Sequence, residues 1–282
     1  MPDVKLLPPC TYQGGKQRLS GEIIDYIDRC DGLLSGGMRF YDMCCGSGSI
    51  SLELINRGFC PGDIHMCDVG PWGMLYHDIG QGLFDMARFR QVLSGIPDDK
   101  GLIRDYVIGL SRQDACIDRS YIFLVLQACS FGGRQIWIES GRWRHSSFRS
   151  YWQPTERSIR RSPVNPMQPG VDELARRVGL ICDSCLGLTC DSVDIQDFDT
   201  SGCAGAIVYM DPPYPGTTGY FQSFDIKSQV DRFLSAGARV VYVSLDKPLC
   251  DDAIRLAFNG PKGGISGYKS GKGQEWLSVF RA

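Results

Sequence analysis

The segment MRFYDMCCGSGSISLELINRG at residues 38–58 decides the fold. It reads as a strand, a tight turn carrying Gly46 and Gly48, and a helix that stops at Gly58, a usual C-terminal signal. DIHMCDV at 63–69 follows as a second short strand. A strand, a glycine turn, a helix and another strand make a βαβ unit, so the sequence predicts a parallel, Rossmann-like α/β sheet. Sheets of this kind bind ligands outside the carboxyl ends of their strands, which directs attention to the turn itself.

Upstream, YQGGKQRLSGEIIDYIDRC sets a glycine pair and Lys16 before an amphipathic helix with Leu19, Ile23, Ile24 and Ile27 on one face. Downstream, residues from about 72 to 131 read as mostly helical. A stretch rich in glycine, proline and aromatics follows and ends on RRSPVNPMQPG, read as a return linker. VDELARRVGL resumes helix, and strands return at 187–190, 206–210, 239–245 and 275–280. Helices are expected between them over roughly 226–236 and 248–258. The intervening stretch is far longer than an ordinary connection. The expected organisation is therefore a sheet domain at 1–70 and 181–282, interrupted by a largely helical insertion at 71–180.

Composition bounds the rest. With 43% hydrophobic residues in a chain of 282, a sizeable core is within reach. The longest apolar run, YIFLVLQAC at 121–129, is too short to cross a bilayer, so no membrane partner is expected. The N-terminus lacks the pattern of a signal peptide. Thirteen scattered cysteines, an odd number, then read as reduced thiols in a cytoplasmic protein. The pair Cys182 and Cys185 lacks a second half for a zinc site, and His65, His77 and His145 lie far apart, so no metal is expected. Oligomeric state, monomer or weak dimer, is not readable.

Two constellations carry chemistry. Gly46 and Gly48 allow a ligand to approach the backbone, and Asp68 ends the next strand, where an acid binds ribose hydroxyls. The pair favours a nucleoside cofactor over a structural turn, without choosing between a dinucleotide and S-adenosylmethionine. Asp211 follows the strand-like AIVYM and precedes Pro212, Pro213 and Tyr214. A carboxylate beside a rigid turn can accept a hydrogen bond from an amino group, the Pro212 carbonyl a second, and an aromatic ring can stack on the plane that bears the amine.

A third feature concerns the partner. Between 134 and 161 lie Arg134, Arg142, Arg144, Arg149, Arg157, Arg160 and Arg161 against Glu139 and Glu156, a local excess of +5 in a chain of net charge −2. Trp137, Trp143, Trp152, Phe148 and Tyr151 share the window. Guanidinium groups bind phosphates and aromatic faces stack on bases, so the patch favours nucleic acid over a solvated basic face on a small aromatic core.

Taken together, DPPY at 211–214 resembles the catalytic motif of amino-methyltransferases acting on DNA. YQGGK at 12–16 resembles the N-terminal motif of the N6-adenine DNA methyltransferases, and DMCCGSG at 42–48 their S-adenosylmethionine loop. The motif order is similar to the alpha group, whose insertion is the target-recognition domain, and PGTTGY and SFGGRQIW look like small phage-type members. Cys44 stands where the family usually has an aromatic, and FGG where sequence-reading relatives have an FNG-type stretch.

The resemblance implies a site-specific or promiscuous enzyme that methylates N6 of an adenine flipped out of duplex DNA. Cytosine N4, RNA or single strands are alternative acceptors, and a non-catalytic DNA-binding protein is an alternative class. It implies Asp211, Pro212, Pro213 and Tyr214 as catalytic residues. It implies Tyr12, Gln13, Gly14, Gly15, Lys16, Asp42, Cys44, Gly46, Gly48, Asp68 and Asp211 around the cofactor, and Asp191 at the cofactor's adenine with Asp194 its competitor. DNA contacts are expected from Arg134, Trp137, Arg142, Trp143, Arg144, Arg149, Arg157, Arg160 and Tyr220.

Overall fold

The 38–58 segment folds as expected in a computed structural model, which describes residues 4–213, 225–256 and 275–281. Strand β1 (Phe40–Met43) is buried along its length and runs through a turn into helix α2 (Ser49–Asn56). The turn holds Gly46 at φ 49° and Gly48 at φ 74°. Close approach also demands glycine there: a Cβ on Gly46 would lie 2.8 Å from the Tyr12 ring, and one on Gly48 would lie 2.3 Å from the Tyr76 hydroxyl.

The described residues form one seven-stranded sheet in the order β5 (Thr189–Asp191), β2 (Ile64–Cys67), β1, β6 (Ile207–Met210), β7 (Val240–Leu245), β9 (Glu275–Arg281), β8 (Ile254–Leu256). Six strands run one way and β9 runs against them, between β7 and β8. The order reverses between β1 and β6, the topological switch point of an open α/β sheet. Register fixes what emerges there. Met43 is level with Cys67 on one side and Met210 on the other, so Cys44, Asp68 and Asp211 leave their strands at the same edge.

Helices flank the sheet. Helix α1 (Ser20–Asp31) buries Ile23, Ile24 and Ile27 and packs on α2. Helix α3 (Pro71–Gly80) packs directly on β5 and β2, although it falls in the stretch assigned to the insertion. Helices α4 (Met86–Ser94) and α5 (Ile103–Leu110) surround α6 (Arg119–Cys129), whose residues 122–129 are all buried. A helix apolar on every side is a core helix. A hairpin of β3 (Trp137–Glu139) and β4 (Arg142–Arg144) follows, and α7 (Val171–Ser184) returns against α3 and α4. One apolar cluster runs from Ile24 and Leu54 through Trp72 to Phe123 and Val178, so sheet and insertion share a core. Helix α8 (Ile226–Ser235) joins β6 to β7.

One expected element is overturned. The helix over 248–258 is a turn followed by β8 at 254–256; residues 257 and 258 lie outside the described residues. Ile254 and Leu256 alternate with Arg255 and pair along β9, which is a period of two and not of 3.6. Ahead of them the Leu249 N–H donates to Ser278 Oγ at 3.0 Å, so the turn is pinned to β9 and does not wind. All thirteen cysteines are unpaired thiols. Among the described residues no helix is long and apolar enough to cross a membrane, and no group of His, Cys, Asp and Glu is arranged to hold a metal ion.

Candidate functional site

A cleft of about 320 Å³ opens at the switch point. Its lining draws Tyr12, Gln13, Gly14, Gly15 and Lys16 from the N-terminal loop, Asp42, Cys44 and Gly46 from the end of β1, and Asp68 from the end of β2. Asp211, Pro212 and Pro213, from the end of β6, complete that set. Four separate stretches that the sequence singled out therefore converge on one space. Tyr214 and Tyr220, with the rest of PGTTGY, lie outside the described residues.

The acids of this cleft are held differently. Asp42 is buried and accepts a hydrogen bond from Ser51 Oγ at 2.6 Å. Burial drives its pKa up to about 7, Ser51 lowers it, and the nearby Asp211 and Asp68 raise it further. Asp68 accepts from the Gly46 N–H at 2.9 Å and the Gly70 N–H at 2.7 Å, so one carboxylate braces the glycine turn against the start of α3. Its pKa is also raised by burial, with those two N–H groups opposing.

Asp211 keeps 16% exposure and pairs with Lys16 Nζ at 2.5 Å. Burial lifts its pKa to about 6 while the Lys16 ammonium holds it down. Lys16, 6% exposed, also donates to the Gly14 carbonyl at 3.2 Å and lies 3.5 Å from Glu275 Oε1. Among the described lining residues Lys16 is the single cation, and it already serves Asp211 and Glu275. Three acids, Asp42 buried and Asp68 and Asp211 half-buried, with one committed lysine make a cleft that attracts positive charge and repels a pyrophosphate.

A second cleft, about 710 Å³, adjoins the first through Asp68, Val69, Gln135 and Pro213. Trp137 and Ile138 of the hairpin, Arg119 of α6, and Val193, Asp194 and Ile195 line it. Val69 is 66% exposed between the two clefts, an apolar surface suited to the face of a planar ring.

Several expectations need correction. Asp191 lines neither cleft; its carboxylate sits 2.8 Å from Nε2 of His65 on the neighbouring strand β2. Its competitor Asp194 is at the second cleft, accepting the Gln196 N–H at 2.9 Å. The strand ends three residues earlier than that acid, so strand-end reasoning picked an aspartate that lines neither cleft. Gly48 does not line the first cleft and instead makes room for Tyr76, whose hydroxyl donates to the Ser47 carbonyl at 2.7 Å.

Two of the expected DNA contacts are interior residues. Arg149 is only 7% exposed and donates to the Ala128 carbonyl at 2.8 Å; burial pulls its pKa down. Trp143 is buried between Arg142 and Arg144, both of which point outward. Arg134, Arg142, Arg144, Arg157 and Arg160 are exposed, and Trp137 is half-buried.

Sequence reasoning missed Glu275, Gln135, Val69, Ser47 and Arg119. Ser47 lay in the quoted loop and Val69 beside Asp68, so proximity to the motif was a usable signal. Glu275 opens the last strand, and only the insertion of β9 beside β7 brings it to Lys16. No protein-family model matches this chain, and no curated protein is significantly similar to it. The class that fold and site define is an open α/β sheet with an acidic cleft at its switch point.

Proposed function

We propose that this chain transfers a methyl group from S-adenosylmethionine to N6 of an adenine flipped out of duplex DNA. The observation that carries the reading is the composition of the first cleft. Asp42, Asp68 and Asp211 converge with one lysine that is already paired, and a sulfonium nucleoside with its ammonium group complements that charge where a dinucleotide does not. The bound cofactor would supply an electrophilic methyl group, its carbon–sulfur bond breaking as the N–C bond forms so that it leaves as the neutral thioether, and the surplus amine proton would pass through Asp211 to solvent.

The chain's own residues supply position. Asp42 and the 44–48 turn face the cofactor's methionine end, and Asp68 accepts from its ribose. Val69, Asp194 and Ile195, in place of Asp191, receive its adenine at the adjoining cleft. Asp211 and the Pro212 carbonyl accept the two N–H groups of the target amine, which turns its lone pair toward the methyl. Lys16 lies beside Asp211 and keeps it ionised, so the acid accepts and does not donate. The work is orientation and electrostatics, and no covalent enzyme intermediate is needed. Extrusion of the base is required because the amine cannot be reached inside the stack.

The test is methyl transfer from labelled S-adenosylmethionine to DNA from methylation-free cells, with the modified base identified by digestion. Asp211→Asn is expected to lower transfer by about 10²–10³ while calorimetry shows cofactor binding within a few-fold of wild type. Undiminished transfer in that variant removes Asp211 from the chemistry. Label on cytosine changes the acceptor, and an inert wild-type protein that still binds DNA leaves the binding-protein reading.

A further inference from the structure

Residues 153–163 form a finger to which the proposed chemistry gives no role. Its stem is closed by backbone bonds in both directions, from the Trp152 N–H to the Val164 carbonyl at 3.1 Å and from the Val164 N–H to the Trp152 carbonyl at 2.9 Å. Its tip is held by its own side chains. Ser158 Oγ accepts the Thr155 N–H at 2.9 Å, and the Ser158 N–H returns to the Thr155 carbonyl at 3.0 Å. Arg160 Nε donates to the Ser162 carbonyl at 2.9 Å and Arg161 Nη1 to the Glu156 carbonyl at 3.2 Å.

On this loop Ile159 is 101% exposed, and among the described residues no large apolar side chain is more so. Its neighbours in the chain are Arg157, Arg160 and Arg161, with Glu156 the one acid of the finger. An aliphatic tip flanked in sequence by three arginines is poorly suited to an apolar protein groove, where the cations would lose water without partners. It suits a polyanion with an apolar interior, which describes the phosphates and stacked bases of a duplex.

The finger is rooted beside the cleft. Ala128, at the end of α6, accepts the Gln168 N–H at 2.9 Å, and Cys129 accepts the Arg149 N–H at 2.9 Å. A few residues on, the Gly133 carbonyl accepts the Gln13 N–H at 2.8 Å, so the end of α6 supports both the finger and the lip of the first cleft.

We propose that Ile159 is a wedge that enters the base stack of duplex DNA, with Arg157, Arg160 and Arg161 gripping the phosphates around it, and so loosens the base that is delivered to the cleft. The inference rests on the reading of this chain as one that acts on duplex DNA. Apolar wedges of this kind unstack a base step at a cost met by the phosphate contacts that the bend permits.

The experiment uses the full chain without cofactor and a short duplex carrying 2-aminopurine, whose fluorescence rises when it unstacks. Wild type and Ile159→Leu are expected to raise the signal. Ile159→Ser is expected to lose most of that rise and to bind the duplex about tenfold more weakly, with affinity for single-stranded DNA unchanged. Because the side chain is fully exposed, the serine variant retains the fold, checked by its thermal unfolding. A wild-type rise in Ile159→Ser, equal weakening on single strands, or a wild type that binds no duplex each overturns the wedge. Methyl transfer to single-stranded DNA is read separately, so inert chemistry with intact unstacking sinks the transfer reading and leaves the wedge standing.

Discussion

Asp42 shows what a single residue contributes when the fold buries it at the floor of a cleft. Its folded pKa of about 7 lies above the ordinary 3.8, chiefly through burial. The folded chain therefore keeps a proton that the unfolded chain has released. The stabilising effect of that proton is complete below pH 3.8 and is lost as pH rises through 7. Unliganded wild-type protein should thus become less stable from about pH 4 to pH 7, and Asp42→Asn should flatten the profile by up to roughly 4 kcal/mol. Urea denaturation at the two ends of that range checks it, and parallel profiles in the two proteins would mean that Asp42 stays ionised. S-adenosylmethionine should reverse the trend, because a cation in the cleft favours the ionised acid. The acid's identity was legible in DMCCGSG, but its raised pKa was not, since that depends first on burial by the folded chain and then on Asp211 and Asp68 arriving from other strands.

At the scale of elements, the sheet is pinned at its back by Asp31, the last residue of α1. Tyr242 of β7 donates its hydroxyl to Asp31, and Arg281 of β9 donates to both carboxylate oxygens at 2.8 and 3.0 Å. Burial pushes the Asp31 pKa up, yet the hydrogen bonds from Arg281 and Tyr242 prevail and hold it below 3.8. Its stabilising contribution is therefore present above pH 3.8 and lost as pH falls further. Asp31→Ala should cost roughly 3 kcal/mol near neutral pH, because it strands the Tyr242 hydroxyl and frees β9. The deficit should shrink in acid, and Tyr242→Phe should cost less. Both follow from urea midpoints measured across pH, and a deficit that is constant with pH would show that packing alone is lost. This clasp is invisible in sequence, where its members lie 211 and 250 residues apart. The same blindness turned β8 into an expected helix, whereas β1, α2 and β2 were legible because a βαβ unit is written in one continuous segment.

For the whole molecule, charge is sorted into two places. The cleft is acidic, and the 134–161 stretch carries seven arginines in a chain whose net charge is −2. Composition along the chain revealed the sorting, but it could not separate arginines that face outward from one that props the interior. Arg149 is the interior case, bound to the Ala128 carbonyl, while the other six are exposed, Arg142, Arg144, Arg157 and Arg160 among them. If these four meet phosphates, each displaces close to one condensed counterion from the duplex. Replacing all four with glutamine should then reduce the slope of log affinity against log salt by about 3 to 4 and leave stability unchanged. Arg149→Gln makes the opposite prediction: it should lower stability by breaking a buried hydrogen bond and leave the salt slope of the folded fraction as it was. Fluorescence anisotropy with a duplex between low and physiological salt reads both variants. A slope unchanged in the fourfold variant would move the DNA face elsewhere on the molecule, and a slope lowered by Arg149→Gln alone would mean that this arginine leaves the interior to reach the duplex.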